Sequence, residues 1–333
     1  MPPNQPIEIP MNIKQWKKAA QKAGVNLRTS VHTRGPFRSG SKVVEEEFLL
    51  LRTIWPEVPS SDRRNVQTKL VIDAQFRKAD EYLEGVQEFN NYLDAIDKGI
   101  PPKNTANLGT FWIPYEQQQR LSQFLNRGPT KNERAYDKNE ELVNASLINF
   151  LQAVCAKHRD VDSDWNPARV KLTFDFRDVK RDKEIGILRS DVFSLSCQVD
   201  GFLESRSTFR AQAIIEAKAL YREQHEPNVS WQETMEMVAA LLNEHPKKSL
   251  SKDRVTLFAQ NGAEMYLLNA SYKDGYRQYM QGDPGKRLVK QDEFVEVRRY
   301  GPYLITDMED VQYFAKLALA IALRATEEED QRI

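Results

Sequence analysis

The chain has 333 residues, with 48 Lys and Arg balanced against 48 Asp and Glu, 40% apolar residues and 29% charged ones. That length suits about two domains of roughly 150 residues and leaves room for a core that needs no staples. The mean hydropathy of −0.64 and the lack of any run near the ~20 apolar residues that span a bilayer exclude a disordered chain and a membrane-spanning one. The neutral balance provides no global field toward a polyanion, so any nucleic-acid contact must come from a local patch.

The opening segment, MPPNQPIEIPMNIKQWKKAA, has no apolar signal region, and Cys155 and Cys197 are the only cysteines. A disulfide framework is therefore excluded and a reducing compartment, nucleus or cytoplasm, is expected. Residues 1 to 42 hold Lys14, Lys17, Lys18, Lys22, Arg28, Arg34, Arg38 and Lys42 against Glu8 alone. This basic arm reads equally as a solubilising tail or as an arm that tracks phosphates.

Residues 43 to 98 read as helical. Between Asp62 and Lys98, Ile72, Phe76, Ala79, Leu83, Val86 and Leu93 recur at alternating steps of four and three, with Asn90 at the remaining seam position. Such a stripe on a long amphipathic helix either packs within its own domain or makes a homodimer through residues 62–98. Pro101, Pro102, Gly109, Pro114, Gly128 and Pro129 then break the pattern, which predicts an irregular connection and a domain boundary near 130. A mostly helical N-terminal region (1–130) and a second domain (131–333) are expected.

Beyond that boundary Asn139 to His158 reads as a helix, and Val170–Phe176 (VKLTFDF), Val192–Leu203 and Phe209–Lys218 read as strands. A capping box at Ser230 and Glu233 opens the next helix. Strands Val255–Gln260 and Ala263–Leu268 meet at Asn261-Gly262, a strong hairpin signal. A second capping box, Thr306 and Glu309, precedes an apolar helix from Val311 to Arg324.

The chemistry concentrates in the second and third of these strands. Asp200 is followed, across fifteen residues, by Glu216-Ala217-Lys218. Side chains two apart on a strand share a face, so Glu216 and Lys218 project together, and an antiparallel pairing would bring Asp200 to the same edge. Two carboxylates with an amine suit a hard divalent cation, Mg²⁺ or Mn²⁺, which binds oxygen ligands and assists attack on a phosphodiester. The bland alternative is a turn aspartate beside a surface Glu–Lys pair.

With these elements the sequence resembles the fungal PD-(D/E)XK nuclease-like proteins of the restriction-endonuclease-like superfamily. The resemblance covers about residues 135 to 326. It rests on the Asp200, Glu216 and Lys218 triad, the helical Glu-X-X-X-Asn pattern of Glu140 and Asn144, and the helix WQETMEMVA from Trp231. RVTLFAQNGAEMYLLNASYKDGYRQYM and the closing YGP segment with its final helix complete it. The resemblance implies an α+β fold with an αβββαβ core and metal-dependent hydrolysis of nucleic acid, DNA ahead of RNA. It implies Asp200, Glu216, Lys218 and Glu140 as catalytic residues, and Asp200, Glu216 and Glu140 as metal ligands. Asn144 and Gln232 or Glu236 would lend support, and Asp191 is a fallback ligand. Val199 stands where the family motif has proline, and an acid at Glu236 departs from the helical Gln that members often carry. An inactive nucleic-acid-binding or protein-interaction module on the same fold is the rival expectation.

Four histidines, His32, His158, His225 and His245, are too scattered for a zinc motif. The basic cluster of Lys286, Arg287, Lys290, Arg298 and Arg299, interrupted by Asp292, Glu293 and Glu296, reads as a solvated face or a groove wall.

Overall fold

The structure, a computed structural model, describes residues 8–25, 31, 37–100, 103–127, 140–176, 193–242, 254–280 and 290–331. Its helices are α1 (Ile13–Lys22), α2 (Glu45–Leu50), α3 (Val66–Lys69), α4 (Asp73–Glu84), α5 (Gln87–Lys98), α6 (Trp112–Arg127), α7 (Glu140–Cys155), α8 (Asn228–Leu242), α9 (Asp274–Met280) and α10 (Met308–Asp330). Its strands are β1 (Thr53–Ile54), β2 (Ser163–Asn166), β3 (Val170–Phe176), β4 (Phe193–Val199), β5 (Gly201–Ser205), β6 (Ala211–Lys218), β7 (Arg254–Asn261), β8 (Glu264–Ser271) and β9 (Val295–Leu304). The protein is thus a mixed α and β fold. Among the described residues no helix is long and apolar enough to cross a membrane.

Seven strands form one mixed sheet in the order β1-β9-β8-β7-β6-β5-β2, with β6 parallel to β7 and β1 parallel to β9, and the other neighbours antiparallel. The parallel step from β6 to β7 is made through α8, as a crossover requires. A β3–β4 ladder continues β2–β5: Asn166 faces Phe202 and Val170 faces Val199, so residues 167–169 stand opposite Asp200 and Gly201. One long hairpin therefore bends at Asp200.

Helices cover both faces of the sheet, because alternate residues of its inner strands are apolar toward each side. Ala213, Ile215, Ala217, Phe258, Met265 and Leu267 pack with α4–α7 and α10. Ile214, Leu257, Ala259 and Leu268 pack with α1, α2 and α8. On the second side β6 also carries Glu216 and Lys218, the polar end of an otherwise apolar face.

The expected boundary near 130 does not coincide with a break in the core, since residues from Val66 to Leu121 share one hydrophobic cluster with residues from Val143 to Ala325. The stretch from 62 to 98 is not one helix but α3, α4 and α5, with breaks at Leu70–Ile72 and Gly85–Val86. Its stripe is consumed inside the chain: Ile72, Ala79, Leu83 and Leu93 are buried in that same cluster, and the Asn90 amide donates to the Glu84 carbonyl at 3.0 Å. The buried stripe lends no support to a homodimer through this segment.

The connection expected at 99–137 contains a 3₁₀ segment, Thr105–Phe111, and α6, with Phe111, Tyr115 and Leu121 buried. Pro114 misleads as a breaker because it sits in the first turn of α6, where an amide N–H has no partner to lose. The capping boxes are also replaced. Ser230 lies inside α8, and α10 is capped by Asp307, whose side chain accepts from Asp310 N at 2.9 Å. The hairpin at Asn261 forms with Gly262 at φ +59°. The structure adds α1 in the basic arm, β1 within the stretch 43–98 expected to be helical, and β2, α9 and β9, none of which the periodicity signals. In β9 the segment Gly301-Pro302 lies where the register with β8 slips between Met265 and Leu267, which is how a proline without an N–H is tolerated within a ladder.

Candidate active site

Asp200 occupies the bend between β4 and β5, and the backbone around it is fixed from three directions. Its N–H donates to the Ile215 carbonyl at 3.0 Å, its own carbonyl accepts from Asn144 Nδ2 at 3.0 Å, and its Oδ2 accepts from Ala217 N at 3.1 Å. The carboxylate is thereby tied to the strand that carries Glu216 and Lys218. Gly201 makes the approach feasible, because a Cβ there would lie 2.9 Å from the Asn166 carbonyl oxygen and 3.0 Å from Ile148 Cδ1.

Glu216 is 2% exposed, an unusual place for a carboxylate. Its Oε1 accepts from Lys218 Nζ at 2.6 Å and from Gln232 Nε2 at 2.5 Å. The same Gln232 nitrogen donates to Glu236 Oε1 at 2.8 Å. Oε2 of Glu216 and Oε2 of Glu236 are buried without a hydrogen-bond partner. Glu140, at the start of α7, reaches Lys218 Nζ at 3.5 Å from the more open side. Asp200, Glu216, Lys218, Glu140, Asn144, Gln232 and Glu236 thus form one connected group. Asp191 lies outside the described residues.

The electrostatics follow from burial and an excess of acid. Burial pushes the Glu216 carboxyl up to about 8, with Asp200 and Glu140 adding to the rise and Lys218 opposing it. Glu236 is raised well above the usual carboxylate range, first by burial and then by Glu216. Asp200 is raised by burial, against the pull of the Ala217 N–H, Lys218 and Arg169. For Lys218, burial favours the neutral amine, yet Glu216 and Glu140 together override it and hold the ammonium above its ordinary value.

The group opens on a cavity of about 700 Å³, lined also by Ser39–Val43, Arg169, Gln198, His225 and Asn228. These residues were not singled out for the site from the sequence. Arg169 comes from the three-residue gap between β2 and β3 and places Nε 3.2 Å from Asp200 Oδ1, with a further ion pair to Glu141. Lys42 was visible as a member of the basic arm, but nothing in its surroundings signalled the cavity. Burial and Lys218 lower the His225 pKa. Of the basic cluster near the C-terminus, Lys286 and Arg287 lie outside the described residues, while Arg299 pairs with Glu226 at 3.0 Å and stacks over Trp55 and Tyr266.

Asp200 and Glu216 offer carboxylate oxygens to the cavity, with Glu140 at its rim. Among the described residues no three His, Cys, Asp or Glu side chains already meet as a metal-ligand cluster. The donors are nevertheless the hard oxygens a small divalent cation takes, and Glu216 Oε2 is buried without a hydrogen-bond partner. Compared with family models, curated proteins and solved structures, the chain matches none.

Proposed function

We propose that the chain is a metal-dependent phosphodiesterase of nucleic acid, DNA ahead of RNA, acting in the nucleus or cytoplasm. The observation that carries this reading is the convergence of Asp200 and Glu216, from paired strands, with Lys218 on one cavity, Glu216 keeping one buried oxygen without a partner. The element order supports a restriction-endonuclease-like core. With each half of the bent hairpin counted as one strand, α7, β2–β3, β4–β5, β6, α8 and β7 give helix, three strands, helix, strand.

Asp200 and Glu216, with Glu140, would hold Mg²⁺ or Mn²⁺. Such an ion supplies an acidified water and neutralises charge on the phosphodiester under attack. The remaining work falls to the chain's own groups. Lys218, beside Glu216 and Glu140 on the cavity, is placed to hold negative charge developing on the phosphate or to orient the attacking water. Gln232 orients Glu216, and Asn144 fixes the backbone of Asp200.

A nuclease assay with Mg²⁺ or Mn²⁺ tests the proposal. Wild type cleaves, and Glu216→Ala and Lys218→Ala each lose at least ~10²-fold in rate; undiminished cleavage in both variants removes the assignment.

A second reading, an inactive binding module for nucleic acid or protein, is favoured by one observation: Asp200 already has a cation, Arg169, on its outer oxygen. Thermal melting with Mn²⁺ separates the two. Stabilisation that needs Asp200 and Glu216 supports the enzyme. Oligonucleotide binding without cleavage, and with indifference to metal, supports the module.

A further inference from the structure

The cavity floor is acidic, and a nucleic-acid strand is a polyanion, so some part of the wall must offset the repulsion. That part comes from the N-terminal region. Ser39, Gly40, Ser41, Lys42 and Val43 line the cavity. Ser39, Ser41 and Lys42 are exposed, and the Lys42 ammonium has no ion-pair or hydrogen-bond partner among the described residues. Arg169 and Lys218, which also line the cavity, are already engaged by acidic side chains, Arg169 by Asp200 and Glu141 and Lys218 by Glu216 and Glu140.

The turn is built in rather than draped. Glu47, fully buried, receives Arg38 N at 3.0 Å on one carboxylate oxygen and Val44 N at 3.1 Å on the other, so a single side chain clamps both ends. Within the turn Lys42 N donates to the Ser39 carbonyl at 2.8 Å. Gly40 lies flat on β4 and α8; a Cβ there would stand 3.1 Å from Cys197 Cβ and 3.8 Å from Gln232 Cγ. The exposed ammonium and hydroxyls are therefore presented by a preorganised backbone, which lowers the ordering cost of binding.

We infer that residues 38–43 form a phosphate-holding lip, in which Lys42, flanked by the hydroxyls of Ser39 and Ser41, grips a backbone phosphate of the strand lying in the Asp200–Glu216–Lys218 cavity. This rests on the nucleic-acid reading of that cavity. DNA and RNA share the phosphodiester chemistry, and the experiment carries an arm for each.

The test is fluorescence anisotropy on the full chain, with fluorescein-labelled DNA and RNA oligonucleotides and Ca²⁺ in place of Mg²⁺, across a salt series. Lys42→Glu is expected to weaken Kd about 10-fold at low salt and to reduce the salt slope by ~1, with Lys42→Arg close to wild type. Lys17→Glu, the same charge reversal on α1 away from the cavity, leaves the slope unchanged. Since Lys42 is exposed, matched melting curves verify folding. A Lys42→Glu protein that binds with wild-type Kd and slope overturns the lip while leaving the nuclease reading intact. An equal loss in Lys17→Glu overturns it in favour of a diffuse basic arm. If wild type binds neither oligonucleotide, the lip and the nucleic-acid reading fall together.

Discussion

Helix α8 turns Glu233 toward Arg222 and Gln232 toward Glu216, so one scaffold carries two buried ionic clusters. In the first, Arg222 gives Nε to Glu226, one terminal nitrogen to Glu233 and Asn261, and the other to Glu233 and Ser230, while its guanidinium lies over Trp55 and Tyr266. All five donors are used. In the second, Glu216 and Glu236 share one glutamine and each keeps an oxygen without a partner. The contrast is one of charge. The first cluster centres on a cation whose five donors all meet acceptors, although Glu226 Oε2 and Asn261 Nδ2 at its edge have no partner. The second sets two buried carboxyls beside one ammonium and retains capacity for a further cation.

The widest gap between the clusters should appear on truncation. Arg222→Ala leaves Glu233 buried and uncompensated and is expected to cost about 3–5 kcal/mol by denaturant melting. Glu216→Gln removes an oxygen that nothing satisfies and should cost little stability in the metal-free protein. Equal losses in the two variants would erase the distinction.

Glu233 also shows how far the sequence could be read. An acid three residues after a serine signals a capping box, yet here it serves a buried arginine; both uses want a carboxylate near a helix start, and only tertiary position decides between them. The site residues were legible for the opposite reason. Glu216 and Lys218 are coupled by the two-residue period of a strand, and Asp200 is tied to them by a short antiparallel connection, so local geometry suffices. Arg169 and Lys42 arrive from a gap between β2 and β3 and from a clamp around Glu47, which depend on contacts far apart in the chain. After residue 140 the first helix, the strands β3 to β8 and the helices α8 and α10 followed from periodicity and turn signals, but β2, α9, β9 and the merging of the N-terminal helices into the same core did not. A buried stripe reads alike whether its partner is another chain or α10.

The second difference is in pH dependence. A carboxyl whose pKa is raised in the fold stabilises it while protonated. For Glu216, pushed up to about 8, that contribution is whole below the unfolded value of about 4.3 and is lost as pH rises through the folded one. Glu216→Gln cannot ionise. In EDTA its melting temperature should therefore gain on wild type between pH 5 and pH 8.5, by on the order of 2–4 °C. For Arg222→Met with Glu233→Leu, which removes the closed pair, the difference from wild type should stay flat over that range. A constant gap for Glu216→Gln would show that its carboxyl ionises normally.

The smallest expected effect concerns the arginine at the mouth of the open cluster. Arg169 Nε stands 3.2 Å from Asp200 Oδ1, and its side chain is 43% exposed, so the pair is screened by solvent and worth only about 0.2–1 kcal/mol. Any divalent cation taken up by Asp200 and Glu216 must compete with that guanidinium. Removing it relieves the competition and also strips a positive charge from the approach to the ion, and both effects favour metal. Arg169→Gln should therefore tighten Mn²⁺ binding about 2- to 5-fold in a calorimetric titration, and Glu141→Gln, which frees Arg169 from its other partner, should weaken it slightly. The reverse order would mean that Arg169 holds Asp200 in place for the metal, and unchanged affinities would put the ion away from Asp200 altogether.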